Sequence, residues 1–184
     1  MTDCEATGRF ESMYALARDP VARYLARRAA PDAVEDLFAE VMTVAWRRIR
    51  DVPDGDELPW LYGVARRVLA NHRRASGRLG RLLERVALVE RGVDPGPPPG
   101  SSGDPDLAAA LARLPAVDAE ILRLWAWEEL APREIAGVLD ITPNAASIRL
   151  HRAKGRLRDA LEPGPRKDPE PAGHLLDVER TEAR

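Results

Sequence analysis

The chain has one cysteine, Cys4, among its 184 residues, so it can form neither an intramolecular disulfide nor a cysteine-based zinc site. Aromatic residues are scarce at 5%, while apolar residues reach 45%. The cores must therefore be built mostly from Leu, Val and Ala, which favours helices over sheets. Gly, Pro and Asn gather in a few places and do not recur at hairpin spacing, so strands are not expected. No apolar run approaches the ~18 residues of a membrane span, and the N-terminus lacks the basic-then-apolar pattern of a signal peptide. These features predict a cytoplasmic protein without membrane insertion. The three histidines, His72, His151 and His174, are scattered. No paired carboxylates, Gly-rich phosphate loop or nucleophile motif appears. An enzyme is not expected, nor is a metal, a cofactor or a small-molecule substrate.

Net charge is low as well, at -2. Taken alone it argues against nucleic-acid binding, but the charges are segregated. Arg66, Arg67, Arg73, Arg74, Arg78, Arg81 and Arg85 stand between Leu61 and Arg85, opposed only by Glu84. Arg149, Arg152, Lys154, Arg156 and Arg158 follow Thr142 with no acid among them. The acids lie in Asp32 to Glu40, in Asp51 to Glu57 and in the tail. Phosphate contacts are local, so the distribution matters more than the sum.

The stretch "GVDPGPPPGSSGDP" holds nothing that could build a core, and its prolines favour extended backbone. It sets a flexible linker at 92–105, between an N-terminal unit at 9–91 and a C-terminal unit at 106–161. The Pro-rich, charged remainder, 162–184, has the composition of a disordered tail. The predicted fold is thus all-α, two small helical domains on a flexible linker.

In the N-terminal unit, Arg9 to Arg18 reads as one helix, and Pro20 after Asp19 as the start of another reaching about Ala30. A third begins after Pro31, with Val34, Leu37, Phe38, Val41, Ala45 and Ile49 on its apolar face. Asp36, Glu40, Thr43 and Arg47 lie opposite. A fourth starts near Pro59. Leu61, Val64, Ala65, Val68, Leu69 and His72 form its apolar side, and Arg66, Arg67, Arg73 and Arg74 a cationic stripe. A stripe of one sign, made of Arg alone, fits a backbone-binding surface at least as well as a solvated one.

The C-terminal unit begins with two helices broken at Pro115. Pro132 to Leu139 is then a short helix, Asp140-Ile141 a turn, and Thr142 the N-cap of a last helix with Pro143 at its first position. Ala146, Leu150, Ala153 and Leu157 stack on one face of that helix. Asn144, Ile148, His151 and Arg152 lie on the other, with Ser147 and Lys154 on its flank. This is a helix-turn-helix layout, whose second helix enters the major groove.

Three stretches in this order resemble the bacterial RNA polymerase sigma factors of the extracytoplasmic-function (ECF) type. "DAVEDLFAEVMTVAWRR" is similar to the helix that docks on the polymerase clamp, "PWLYGVARRVLANHRR" to the promoter-melting and -10 helix, and "REIAGVLDITPNAASIRLHRAKGRLRDAL" to the -35 reader. The resemblance implies a protein that joins core RNA polymerase, directs it to promoter DNA and helps open the duplex. It implies polymerase contacts at Asp36, Glu40 and Arg47. It implies -10 and melting roles for Trp60, Tyr62, Arg66, Arg67, Asn71, Arg73 and Arg74, although Trp60 and Trp46 also suit a core. It implies -35 contacts at Asn144, Ser147, Ile148, Arg149, His151, Arg152 and Lys154. Arg152 suits a guanine edge or a phosphate, and Ile148 a thymine methyl. Many family members are held inactive by an anti-sigma protein, which adds an expected partner. The acidic loop Asp51 to Leu58 stands where members capture a flipped -10 base, and its carboxylates would repel phosphate.

A stand-alone helix-turn-helix regulator is the alternative. Such proteins usually dimerise to read paired half-sites. No heptad run or spare apolar face provides for that here, and the clamp-like helix would be unexplained.

Overall fold

The computed structural model describes residues 2–86 and 104–162, without the side chains of 78–86. Among the described residues there are seven α-helices, two short 3-10 turns and no strand. The expected linker lies outside the described residues except at its end, and the tail beyond Glu162 lies outside them entirely. The cationic side chains of Arg78, Arg81 and Arg85 also fall outside.

Helix α1 (Asp3–Ala26) is a single element, where two helices broken near Pro20 were expected. An interior proline removes one hydrogen bond and costs about 3 kcal/mol. Packing outweighs that here, because Met13, Ala17, Val21, Tyr24 and Leu25 form one buried stripe on both sides of Pro20. Leu16, four residues back, is 52% exposed, on a face where water can reach the backbone. A reciprocal pair starts the helix: Glu5 N–H donates to the Thr2 hydroxyl, and Thr2 N–H to the Glu5 carboxylate.

Helix α2 (Val34–Arg47) follows a 3-10 turn at Pro31–Ala33. Its expected apolar positions Leu37, Val41 and Ala45 are buried, and Val34 and Phe38 pack against the same core. Helix α3 (Glu57–Val86) begins two residues before Pro59. Leu61, Val64, Ala65, Val68 and Leu69 are buried as their spacing predicts. His72, placed with them in the sequence, is exposed instead. The core that α1 and α2 provide for α3 ends at Leu69.

The C-terminal unit comprises α4 (Pro105–Arg113), α5 (Ala116–Ala126), α6 (Pro132–Leu139) and α7 (Pro143–Leu161). Asp104 and Pro105, assigned to the linker from sequence, are the N-cap and first residue of α4. The Asp104 carboxylate accepts from Asp106 N–H at 2.9 Å.

The two units pack directly on one another. Helix α3 packs against α6, and Gly63 lies at that contact. A Cβ at Gly63 would lie 3.8 Å from Val138 Cα and 3.9 Å from Gly137 O. One buried apolar cluster runs through both units, from Met13 and Leu61 to Ile135 and Leu150.

Candidate nucleic-acid interface

The α6–α7 pair is built by local rules. Asp140 sits at φ 58°, ψ 48°, the left-handed conformation that ends α6, and Asp tolerates it better than most residues. Its N–H and that of Ile141 both donate to Ala136 O. The Thr142 hydroxyl then accepts from Ala145 N–H at 3.2 Å, which starts α7 with Pro143 in its first turn. Ala146, Leu150 and Ala153 are buried, and Leu157 packs against them.

That anchoring turns the rest of α7 outward. Asn144, Ser147, Ile148, Arg149, His151, Arg152 and Lys154 are all exposed. Ile148 is 43% exposed and supports no core, so its methyls are free for an apolar contact. The Ser147 hydroxyl donates to Pro143 O at 3.0 Å, leaving its lone pairs outward. Lys154 Nζ rests 3.4 Å from the centre of the Trp125 ring, which orients the ammonium by cation–π attraction. Arg156, by contrast, is ion-paired with Asp118 of α5.

On α3, Arg66, Arg67, Asn71, Arg73 and Arg74 are exposed. The Asn71 side-chain oxygen accepts from Arg74 Nη2 at 2.6 Å, so these two present one joined polar group. Arg73 reaches back to the turn just after α1 and donates to Arg28 O at 3.1 Å. Trp60 is partly buried, with the Arg48 guanidinium 5.7 Å above its ring. Tyr62 departs from the expectation. It is 2% exposed, its ring tilted by 42° against that of Tyr24 at 5.1 Å, so it offers no surface to DNA while the units are packed. On α2, Asp36, Glu40 and Arg47 are exposed along one face.

The acidic loop is less negative than its sequence suggests. Asp51 pairs with Arg48 at 3.0 Å, Asp54 with Arg9 at 2.7 Å, and Asp56 with Arg133 of α6 at 3.1 Å. Glu57 accepts from Gly55 N–H. Such exposed pairs hold only about 0–1 kcal/mol each, but they set arginines against three of the carboxylates.

A charged cluster at the seam between the units has no counterpart in the sequence reading. Arg27 Nη2 donates to Glu128 Oε2 at 2.6 Å, and Arg28 Nη1 to Glu128 Oε1 at 3.1 Å. Arg28 Nη2 stands 3.2 Å from Glu120 Oε1, and Arg123 lies 3.8 Å from the same carboxylate. The Tyr24 hydroxyl donates to Glu120 at 3.3 Å, and the Arg28 guanidinium lies 3.7 Å over the Tyr24 ring. Burial, then the Glu120 charge, pushes the Tyr24 phenol well above its ordinary range. Burial and Glu128 push Tyr62 up to about 12. Burial pulls Arg123 down, with neighbouring Arg28 and Arg73 adding to the effect. The sequence signal for this cluster was the doubled charges Arg27-Arg28 and Glu128-Glu129 beside helix ends, which nothing local marks as partners.

Residues 106–157 match the family model for Sigma-70, region 4. The RNA polymerase sigma factor CarQ of Myxococcus xanthus is 31% identical over 158 residues, covering 83% of this chain and 88% of that protein. The sigma factor RpoE from Bartonella quintana, solved with the anti-sigma factor NepR, is similar in fold at a TM-score of 0.53. It shows 22% identity over 85% of this chain and 94% of that one. CnrH, solved with the cytosolic domain of CnrY, is similar at a TM-score of 0.55 and 21% identity, over 83% of this chain and 86% of that one.

Proposed function

The chain belongs to the RNA polymerase sigma factors of the extracytoplasmic-function type, and from that premise we propose that it joins core RNA polymerase and selects promoters. In this reading α7 takes the -35 element through Ser147, Ile148, Arg149, His151, Arg152 and Lys154, with Asn144 at its leading end. The α3 stripe of Arg66, Arg67, Asn71, Arg73 and Arg74, beside Trp60, holds the -10 region and supports strand opening. Asp36, Glu40 and Arg47 on α2 meet the polymerase. Unit boundaries at 9–91 and 106–161, with 92–105 between them and a tail at 162–184, belong to the same proposal.

One observation supports it most. Two separate helices each combine a buried apolar face with an exposed cationic one, and no exposed acid lies among the outward residues of α7 from Asn144 to Arg158. Phosphate neutralisation needs such single-signed surfaces. Two readers also suit a promoter with two elements. The polymerase supplies the chemistry, and this chain chooses where it acts, in the cytoplasm. An anti-sigma protein is the expected regulator, since the similar solved structures include a sigma factor held by one.

Assembly with core RNA polymerase, followed by size-exclusion chromatography, tests the docking half. The wild-type chain is expected to co-elute with the core enzyme. A variant with Asp36→Lys and Glu40→Lys is expected to elute free. Equal co-elution of both would remove α2 from the docking surface.

A further inference from the structure

We propose that Trp125 of α5 is a DNA-backbone contact that works together with Lys154 of α7, so that the -35 surface extends beyond the reading helix. The proposal deepens the sigma reading and rests on it for the identity of the duplex. Its partner chemistry is one phosphate of double-stranded DNA and the sugar beside it, and no base edge. Trp125 is 43% exposed, although Ile121, Leu122 and Leu124 of the same helix are buried. A large aromatic ring left in water forgoes the apolar burial that its neighbours obtain. This ring instead carries the Lys154 ammonium, 3.4 Å from its centre. Lys154 belongs to an outward row on α7. Ser147, His151, Lys154 and Arg158 follow one another at spacings of four, three and four residues, and all are exposed. Residues so spaced are neighbours on a helix surface. Trp125 therefore borders the face assigned above to DNA.

What the ring leaves free points to phosphate. Arg156, two residues further along α7, is neutralised by Asp118. A seat on an aromatic face fixes an ammonium without cancelling its charge. Among the described residues, Lys154 has no carboxylate partner, and the Trp125 indole N–H has no acceptor. A lysine held on an indole has also given up part of its rotamer freedom before any DNA arrives. Its ammonium protons and the indole N–H are then donors set side by side, and phosphate oxygens accept from such groups. The flat ring adds contact area for a deoxyribose. Trp127, the exposed tryptophan two residues on, is engaged differently. Its ring lies beneath Arg27 and Arg123 of the seam, at 5.5 and 5.9 Å. Only the Trp125 ring is shared with the outward face of α7 among the described residues.

The test is a methylphosphonate scan. A promoter duplex selected with the wild-type polymerase holoenzyme is made with one phosphate at a time neutralised across its upstream element. Holoenzyme binding is measured at a temperature that keeps the duplex closed. Trp125→Leu and Lys154→Ala are each expected to bind the unmodified duplex about fivefold more weakly. Both should become indifferent to the same single phosphate, at which wild type loses affinity. In each, log K against log salt should flatten by about 0.9, the value for one duplex phosphate. The double variant should lose no more than either single one. Trp125→Phe keeps a ring beneath the ammonium and should retain the wild-type salt slope. Circular dichroism of each variant should match wild type. A scan that gives wild type and both variants the same profile would overturn the contact, and additive losses would overturn the pairing. A phenylalanine variant that behaves like the leucine one would overturn the seat on the ring. Altered base preference in Trp125→Leu would overturn the assignment to the backbone. A wild-type holoenzyme that selects no duplex would overturn the sigma reading itself, and the proposal with it.

Discussion

Arg28 Nη1 donates to Glu128 Oε1 at 3.1 Å, with side chains 5% and 2% exposed, and so ties the end of α1 to the turn after α5. Removing one partner of such a pair leaves an uncompensated buried charge, which costs about 3–5 kcal/mol if nothing moves. Here something can move, because the pair spans two units. Glu128→Ala is therefore expected to part the units rather than unfold either. Urea unfolding followed at Trp46 and Trp60 should separate from unfolding followed at Trp125 and Trp127. Transitions that remain coincident would show that the seam does not depend on Glu128.

Gly63 offers a steric test of the same seam. A Cβ there would meet Val138 Cα at 3.8 Å, an ordinary van der Waals contact. Gly63→Ala should therefore leave the packing intact and, through helix propensity, stabilise by up to about 1 kcal/mol. Gly63→Leu has no room and should force α3 from α6. Small-angle scattering is expected to show an unchanged radius of gyration for the first and a larger one for the second.

The two DNA-facing helices should respond differently to loss of arginine. Arg152→Ala on α7 is expected to lose about 1–3 kcal/mol of discrimination at one base position. Arg66→Ala with Arg67→Ala on α3 should weaken all promoters alike, and flatten the salt dependence of log K by about 1.8 if both hold duplex phosphates. These residues are exposed, so circular dichroism should not change. Promoter libraries read with the polymerase holoenzyme separate the two patterns.

Buried tyrosines make the folded state sensitive to alkali. Tyr62 is raised to about 12 by burial and by Glu128, against lowering by Arg27, Arg23 and Arg28. Tyr24 is raised further by burial and Glu120, with Arg28 opposing. The unfolded phenol ionises near 10. Each raised group thus contributes stability that is full below about pH 10 and is lost as pH rises toward the folded value. Denaturation midpoints should be flat with respect to these groups up to about pH 10 and fall above it. Absorbance at the phenolate band should show both groups ionising late. Midpoints that stay level up to pH 12 would contradict the burial.

Much of the α6–α7 unit could be read from the sequence because its determinants are local. Thr142-Pro143 starts a helix, Asp140 accepts the left-handed turn, and Ala146, Leu150 and Ala153 recur at helical spacing. The outward set on α7 follows from that spacing alone. Pro20 misled, because local rules make it a helix start while the buried stripe from Met13 to Leu25 is a tertiary fact. His72 misled in the opposite way: its spacing fits the apolar face, but the supporting helices end before it. The seam was not legible at all. Arg28 and Glu128 lie one hundred residues apart, and no period or motif links an arginine at one helix end to a glutamate at another. Tyr62, which the resemblance sets among the -10 and melting residues, is buried against Tyr24, a packing that no local pattern marks.

Run-off transcription with purified core RNA polymerase, with and without this chain, on a library of upstream DNA tests the central claim most directly. Specific transcripts that appear only with the chain, and share two separated elements, are the predicted result. A chain that binds DNA specifically but never changes what the polymerase transcribes would contradict it, and would leave a helix-turn-helix regulator acting alone.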